Sequence, residues 1–170
     1  MANLGFENTW KNIGGIFKRT NVGDKFIYEE IFNLKGDLGG EQSGHILSGI
    51  NNYSGDGILT ALQISRYCSN KKITLKKWLE TSFLAFPQKL TNISINSSKS
   101  KIDNLLNNAI NELVLETTDQ TNDICRIFVR PSGTEPVLRV LVEAPNNQLV
   151  NKISKKIIDK IEYLIKINNI

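Results

Sequence analysis

The sequence predicts two parts of different construction, an α/β segment over residues 1–86 and a small α+β domain over residues 87–170. Helical and extended patterns follow one another up to Phe86-Pro87, where the pattern breaks. Beyond this break the order becomes strand, helix, strand, strand, helix. Two runs rich in β-branched residues, Ile124–Val129 and Val137–Val142, are typical of paired antiparallel strands, which the helices would cover.

In the first part, helical periodicity and turn chemistry define the elements. Leu4, Phe6 and Trp10 indicate a helix that ends near two glycines. Asp56 and Thr74 each precede a helical pattern and are predicted as N-caps. The other predicted elements are a strand at Ile16–Lys18, a loop at Thr20–Lys25, a helix at Phe26–Leu34, extended segments at Leu38–Gly40 and His45–Leu47, a turn at Asn51–Gly57, and helices at Gly57–Cys68 and Leu75–Leu84.

The second part is dominated by one long helical pattern over Leu149–Ile167, whose apolar residues form a single stripe. We predict that this stripe packs on a core. Lys101–Leu115 is predicted as another helix, and Lys89–Ile95 as a strand with imperfect alternation. The stripe consists of Val150, Ile153, Ile157, Ile161, Leu164 and Ile165.

Composition indicates a soluble globular protein, with 40% hydrophobic and 22% charged residues. No apolar run reaches membrane-spanning length and no signal segment opens the chain, so we expect a cytoplasmic location without membrane contact. Part of the net charge of +4 lies in Lys71–Lys77 and Lys152–Lys166, which we interpret as solvated helix faces rather than a nucleic-acid surface. Cys68 and Cys125 match no metal or redox spacing and are predicted as core thiols.

The segment between the two β-branched runs has the chemistry of a phosphate-binding loop. Arg130 offers a planar fork of donors that fits two phosphate oxygens. Ser132 and Thr134 can donate hydroxyl hydrogens, and Gly133 permits close backbone approach with its N–H directed at an anion, as in a nest. The same residues also suit an ordinary hairpin turn, and spacing alone leaves both interpretations open.

A second cluster lies in Gly39–His45. Glu41, Ser43 and His45 alternate, so an extended segment would place a carboxylate, a hydroxyl and an imidazole on one side. Such a trio suits a polyhydroxylated ligand, and His45 has either a proton-transfer or a structural role. Metal binding is not expected, because no other histidine or paired cysteine lies nearby in the sequence.

Several motifs occur in one order along the chain, namely Asn3-Leu4-Gly5, Val22-Gly23-Asp24-Lys25, the run Gly39–His45, Gly55-Asp56-Gly57, Phe86-Pro87-Gln88, and Arg130–Pro136 continuing into Leu138-Arg139-Val140. With these motifs nearly the whole chain resembles the C-terminal part of the bacterial phosphoglucosamine mutases, in the α-D-phosphohexomutase superfamily. Gln42 favours this branch, because the phosphomannomutase branch usually has Met there. Two positions depart from the branch. Residue 25 is Lys where the branch usually has Arg, and residue 86 is Phe where Tyr is common.

The resemblance implies an architecture of four domains around a cleft. Residues 1–86 would be a partial third domain, with a mixed sheet and helices, that binds sugar. Residues 87–170 would be the C-terminal domain, which binds the phosphate that is not transferred. The resemblance allows, but does not require, that His45 acts as an acid or base. The implied substrate-binding residues are Asp24, Lys25, Glu41, Ser43, His45, Arg130, Ser132, Gly133 and Thr134.

The resemblance also implies an isomerase of amino-sugar and cell-wall precursor biosynthesis, which interconverts glucosamine 6-phosphate and glucosamine 1-phosphate through a phosphoserine and a bisphosphate intermediate. In the family, the phosphoserine lies in the first domain and Mg²⁺ is held by alternating aspartates in the second. The sequence contains neither motif, and Met1 corresponds to an internal position of the family. We therefore expect the chain to bind no metal itself and to need the N-terminal domains for activity. A stand-alone phosphosugar or anion-binding module and a non-functional remnant are the alternatives.

Overall fold

A computed structural model describes residues 2–49, 54–95 and 104–167 and divides into two compact units, residues 1–84 and 85–170. Its small antiparallel sheets and helices confirm the predicted mixed α/β fold class. The first unit contains α1 (Leu4–Asn12), α2 (Asp24–Leu34), β1 (Leu38–Gly40), β2 (Ile46–Ser48), α3 (Gly57–Lys71) and α4 (Leu75–Ser82). The second contains β3 (Gln88–Ser94), α5 (Asn104–Asp119), β4 (Arg126–Pro131), β5 (Val137–Glu143) and α6 (Asn147–Ile167).

Side-chain caps begin three helices of the first unit. The Asn3 side chain accepts the backbone N–H two residues further on, at 2.9 Å, where α1 starts. Asp56 and Thr74 each accept the N–H three residues further on, at 2.9 and 3.1 Å, at the starts of α3 and α4. Both predicted caps are therefore confirmed, and each satisfies a helix N–H group that has no partner within the helix.

The β1–β2 hairpin packs closely on α2. Leu47 of β2 is buried together with Ile27 and Ile31 of α2. A Cβ atom added at Gly39 of β1 would overlap the side chains of both isoleucines. The strand thus approaches the helix at a distance that leaves room only for glycine.

The predicted strand at Ile16–Lys18 is wrong. Residues 15–21 have no regular structure, and Ile16 is 94% exposed. An extended segment becomes a strand only when another backbone pairs with it, and no strand in the described ranges does so. The indole Nε1 of Trp10 instead donates to the Ile16 carbonyl at 3.1 Å, which ties the segment to α1.

The second unit is built on an antiparallel sheet with the strand order β3-β5-β4. Leu138, Val140 and Val142 alternate along the central strand and belong to one core with residues of α5 and α6. Ile157 and Ile161 of α6 are completely buried, which confirms the predicted apolar stripe. The core also includes Ile93, Ile95, Leu106, Ile110, Cys125, Ile127, Ala144, Val150 and Ile153.

The opposite face of this sheet carries a buried ion pair. Arg126 of β4 and Glu143 of β5 are directly opposed in the register, and Arg126 Nη1 lies 2.9 Å from Glu143 Oε2. The Glu143 side chain has no exposed surface and that of Arg126 is 16% exposed. Because removal of one partner would leave the other charge buried, replacing either residue alone should destabilise this sheet.

The two cysteines differ in environment, and neither forms a disulfide. Cys125 lies in the core of the second unit, and burial raises the pKa of its thiol. Cys68 is half-buried on α3, a helix with no buried residue. The prediction of a core thiol holds for Cys125 and is wrong for Cys68.

Two predicted features extend beyond the residues that the structure describes. They are the beginning of the Lys101–Leu115 helix, at residues 101–103, and residues 51–53 of the Asn51–Gly57 turn. In the described part of the chain, no helix combines the length and the apolar character needed to cross a lipid bilayer.

Candidate anion and polyol sites

The loop of residues 130–136 connects β4 with β5, its neighbour in the sheet of the second unit. The Ser132 N–H donates to the Val137 carbonyl at 2.8 Å and closes the loop. Ser132 is 1% exposed, and its Oγ lies 3.5 and 3.4 Å from the N–H donors of Thr134 and Glu135. Its hydroxyl therefore orders the loop, while Gly133 and Thr134 at the tip are exposed.

Two arginines face each other beside this loop. Arg130 of β4 and Arg139 of β5 are directly opposed in the antiparallel register, so their side chains leave the sheet on the same face. Arg139 Nη2 donates to Glu135 Oε2 at 2.9 Å. For the half-buried Arg130, no side-chain partner occurs among the described residues.

The backbone at Gly133 differs from the nest that its sequence suggested. A nest alternates right- and left-handed conformations, and the described glycines with positive φ are Gly14, Gly23 and Gly44. What Gly133 provides is an exposed tip without a side chain. The loop therefore has the positive charge of Arg130, but no left-handed conformation at this glycine.

Glu41 and His45 come together in a hairpin turn, and the predicted extended arrangement is wrong. The Glu41 N–H donates to the His45 carbonyl at 2.9 Å, and the Gly44 N–H donates to the Glu41 carbonyl at 3.0 Å. Gly44 has a φ of 101°, a value that glycine adopts without strain. The turn therefore pairs Glu41 with His45 and leaves Ser43 exposed at its tip.

Asp24 joins this pair to form a cluster. His45 Nδ1 lies 2.9 Å from Asp24 Oδ2, and Glu41 Oε1 accepts the Gly23 N–H at 3.1 Å. One ligand atom from each of Asp24, Glu41 and His45 lies within 4.8 Å of the others. The cluster offers several acceptors and one imidazole to solvent, which suits vicinal hydroxyl groups, and the same donor types also bind cations.

The neighbouring residue Lys25 is placed differently. It lies in the first turn of α2, which begins two residues before the predicted start at Phe26. Its side chain is 79% exposed, with Nζ 3.8 Å from Glu29 Oε1. Asp24, at the helix start, is favoured there by the partial positive charge of the N-terminus.

Arg139 and Glu135 are the site residues that sequence reasoning missed. Positions 130 and 139 are equally distant from the middle of the loop, so a hairpin register would have placed them opposite each other. Arg139 lies in the motif Leu138-Arg139-Val140, which by itself does not indicate that Arg139 is a neighbour of Arg130. Cross-strand pairing was the signal available for finding it.

The fold is that of the last two domains of a phosphohexomutase. Residues 1–86 match the family profile for phosphoglucomutase/phosphomannomutase, alpha/beta/alpha domain III, and residues 98–160 match that for the phosphoglucomutase/phosphomannomutase C-terminal domain. The chain therefore belongs to the phosphoglucomutase/phosphomannomutase family.

Among curated proteins, the phosphoglucosamine mutase of Prochlorococcus marinus subsp. pastoris is 59% identical over 157 residues, which are 92% of this chain and 35% of that protein. The phosphoglucosamine mutase of Prochlorococcus marinus strain MIT 9312 is 54% identical over 170 residues, or 100% of this chain and 37% of that protein. The chain thus spans a little over a third of the length of these relatives.

Solved structures give the same fold. N-acetylphosphoglucosamine mutase from Aspergillus fumigatus superposes with a TM-score of 0.71 at 20% identity, over 94% of this chain and 36% of that one. The same fungal enzyme in complex with GlcNAc-6P and magnesium gives a TM-score of 0.65 at 18% identity, over 97% of this chain and 37% of that one. At these identities the likeness concerns the fold.

Proposed function

We propose that the chain is the C-terminal portion of a phosphoglucosamine mutase and supplies its sugar-binding and phosphate-binding surfaces. The observation that carries this proposal is the arginine pair beside the 130–136 loop. Arg130 and Arg139 are opposed across two strands, where like charges are destabilising; Glu135 offsets the charge of Arg139, whereas that of Arg130 still requires an anion. A phosphate group meets that requirement.

Within this proposal, Arg130 holds the phosphate that is not transferred. Its guanidinium presents two parallel N–H donors to two phosphate oxygens. Thr134 is exposed and can donate its hydroxyl hydrogen, and Gly133 leaves the approach open. Ser132 shapes the loop from beneath and directs the donors of its neighbours.

The cluster in the first unit binds sugar hydroxyls. Glu41 is fixed by the Gly23 N–H and keeps a second carboxylate oxygen for a ligand hydroxyl. Asp24 orients His45 by accepting from Nδ1, which leaves Nε2 directed elsewhere as an acceptor. A proton-transfer role for His45 is part of this proposal, with Asp24 setting the orientation of the ring. Ser43 and Lys25 are included as further ligand-binding residues because both are exposed and lie within two residues of members of the cluster.

The activity of the whole enzyme is the interconversion of glucosamine 6-phosphate and glucosamine 1-phosphate through a phosphoserine, in the cytoplasm. Mg²⁺ neutralises phosphoryl charge in such transfers. The alternating aspartates that hold Mg²⁺ in the family do not occur in this sequence, so we assign no metal step to its residues. We expect the 170-residue chain by itself to bind phosphosugar without isomerising it.

Titration of the ¹⁵N-labelled chain with glucosamine 6-phosphate tests the binding surface. Charge-assisted hydrogen bonds contribute about 1.5–3 kcal/mol each, and association costs about 4 kcal/mol or more, so we expect a dissociation constant of about 1 mM or higher. Shifts should concentrate at Arg130, Ser132, Gly133 and Thr134. Arg130→Lys should weaken binding despite its charge, because an ammonium group cannot make the planar two-point contact.

Lys155→Gln is the matched control, because it removes an exposed charge on α6 far along the chain from the loop. Binding that weakens equally in this variant would mean nonspecific attraction and contradict the assignment. Formation of glucosamine 1-phosphate by the purified chain would contradict the claim that it supplies binding alone.

The sugar-binding cluster is tested in a catalytically complete enzyme, made by joining the chain to the N-terminal domains of a Prochlorococcus relative. Glu41→Ala should lower kcat/KM by about tenfold or more, because a charged hydrogen bond contributes about 1.5–3 kcal/mol. His45→Gln should lower kcat and change its pH profile if His45 moves a proton. If Glu41→Ala folds normally and turns over substrate like the wild type, the assignment of this cluster to sugar binding is wrong.

A further inference from the structure

Arg139 uses only half of its donor fork. Nη2 donates to Glu135 Oε2 at 2.9 Å, whereas Nε is buried and has no hydrogen-bond partner among the described residues. A guanidinium can present both donors of one edge to two acceptor oxygens. A buried donor without a partner costs free energy, so this edge of Arg139 is suited to an additional oxygen atom.

Glu135 is the carboxylate that pairs with this arginine. Its side chain is 57% exposed and lies in the loop tip, whereas that of Arg139 is 31% exposed and is held on β5. Exposed ion pairs of this kind contribute at most about 1 kcal/mol, so the carboxylate can turn into solvent at small cost. The arginine is the fixed partner and the glutamate is the movable one.

We infer that Glu135 is an internal counter-ion of the phosphate site, which holds Arg139 until a bound phosphate displaces it. The inference rests on the proposed phosphate binding at Arg130. A phosphate between the opposed guanidinium groups would offer an oxygen to the unfilled Nε of Arg139 and would repel the Glu135 carboxylate. Phosphate and Glu135 therefore compete for one cation, and the glutamate lowers the affinity of the empty site for phosphate.

The test is a titration of the full chain with inorganic phosphate at constant ionic strength. Glu135→Gln keeps the shape of the side chain and removes the competing charge, so we expect phosphate to bind about two- to fivefold more tightly. Arg139→Gln should weaken binding by about tenfold or more. The Nε–H resonance of Arg139 should shift during the wild-type titration, because this donor gains its first partner.

Glu112→Gln is the matched control, since it removes an exposed glutamate from α5 and changes the net charge by the same amount. Its phosphate affinity should equal that of the wild type. In the Arg139→Gln background, adding Glu135→Gln should bring little further gain, because the contested cation is already absent. Far-ultraviolet circular dichroism and melting curves check that every variant is folded.

The outcomes separate the two proposals. The wild type could bind phosphate at Arg130 while Glu135→Gln binds it equally or more weakly. That result would overturn the counter-ion role and retain the phosphate site, because Glu135 would not compete with phosphate for Arg139. The counter-ion role would also be overturned if Glu135→Gln raised phosphate affinity in the Arg139→Gln background as well. Such a gain in affinity would reflect general repulsion between the Glu135 carboxylate and phosphate. If neither the wild type nor Glu135→Gln shows shifts in the 130–136 loop, the proposed function and the counter-ion both fail.

Discussion

The two units bury very different amounts of apolar surface. The described core of the second unit comprises fourteen residues, of which Ile157 and Val142 are completely buried. The described core of the first unit comprises Ile27, Ile31 and Leu47. On α3, Ile58 is 77% and Leu62 64% exposed, and no residue of that helix is buried. Because buried apolar area is the main source of stability, the second unit should be much the more stable.

This difference affects the two ligand-binding clusters in different ways. The 130–136 loop is anchored by adjacent strands of the well-packed sheet, so its arginines are held before any ligand arrives. The 41–45 turn is anchored by a short hairpin on a three-residue cluster. We therefore expect phosphate affinity to depend little on the first unit, and the geometry of the sugar-binding cluster to depend on modest local stability.

The largest expected contrast is in native-state hydrogen exchange. Amides of β5 should exchange only through unfolding of the second unit, whereas those of α3 and α4 should exchange through low-energy local opening. A difference of about 4 kcal/mol corresponds to roughly a thousandfold in protection. Limited proteolysis should accordingly cleave before Pro87 and leave a stable C-terminal product. Equal protection of both units would contradict the comparison.

Next in size is the effect of removing core volume. Ile157→Ala deletes a completely buried side chain and should lower the free energy of unfolding of the second unit by about 2–5 kcal/mol. Leu62→Ala, at a position 64% exposed, should change stability by about 0.5 kcal/mol or less. Urea denaturation followed by circular dichroism measures both. A large loss of stability in Leu62→Ala would contradict the comparison, because it would mean that the Leu62 side chain is buried.

A smaller effect is expected from the packing of the hairpin in the first unit. Gly39→Ala places a methyl group where Ile27 and Ile31 already lie, so it should destabilise this unit by about 1–3 kcal/mol. Ser43→Ala, at the exposed tip of the same hairpin, is the control and should leave melting unchanged. Exchange rates of the α2 amides provide the measurement, and normal rates in Gly39→Ala would mean that the hairpin shifts without cost.

The smallest effect concerns the acid stability of α1. Burial raises the pKa of Glu7, but hydrogen bonds and charges from Lys11 and Arg19 outweigh it and hold the pKa below its ordinary value of 4.5. The unfolded chain therefore binds the proton more tightly than the native protein. The stabilisation is present above the unfolded pKa and is lost as pH falls through the lower, native one.

Glu7→Gln should therefore be less stable than the wild type near neutral pH and should lose less stability on acidification. Urea midpoints of the first unit measured from neutral pH to below pH 4 test this expectation. Parallel curves for the two proteins would show that the contacts of Glu7 contribute nothing to folding.

The sequence by itself determined what depends on near neighbours. The stripe of α6 follows from spacing alone, and the caps at Asp56 and Thr74 follow from a side chain that meets an N–H three residues further on. The family could also be identified from ordered motifs, because these motifs are short and contiguous. Such features need no knowledge of how distant segments pair.

Only the tertiary structure decided which distant residues meet. Ile16–Lys18 pairs with no strand among the described residues, so it stays irregular. Asp24 reaches His45 because α2 packs on the β1–β2 hairpin. Both results depend on backbone pairing or on close packing between segments, which local periodicity does not encode.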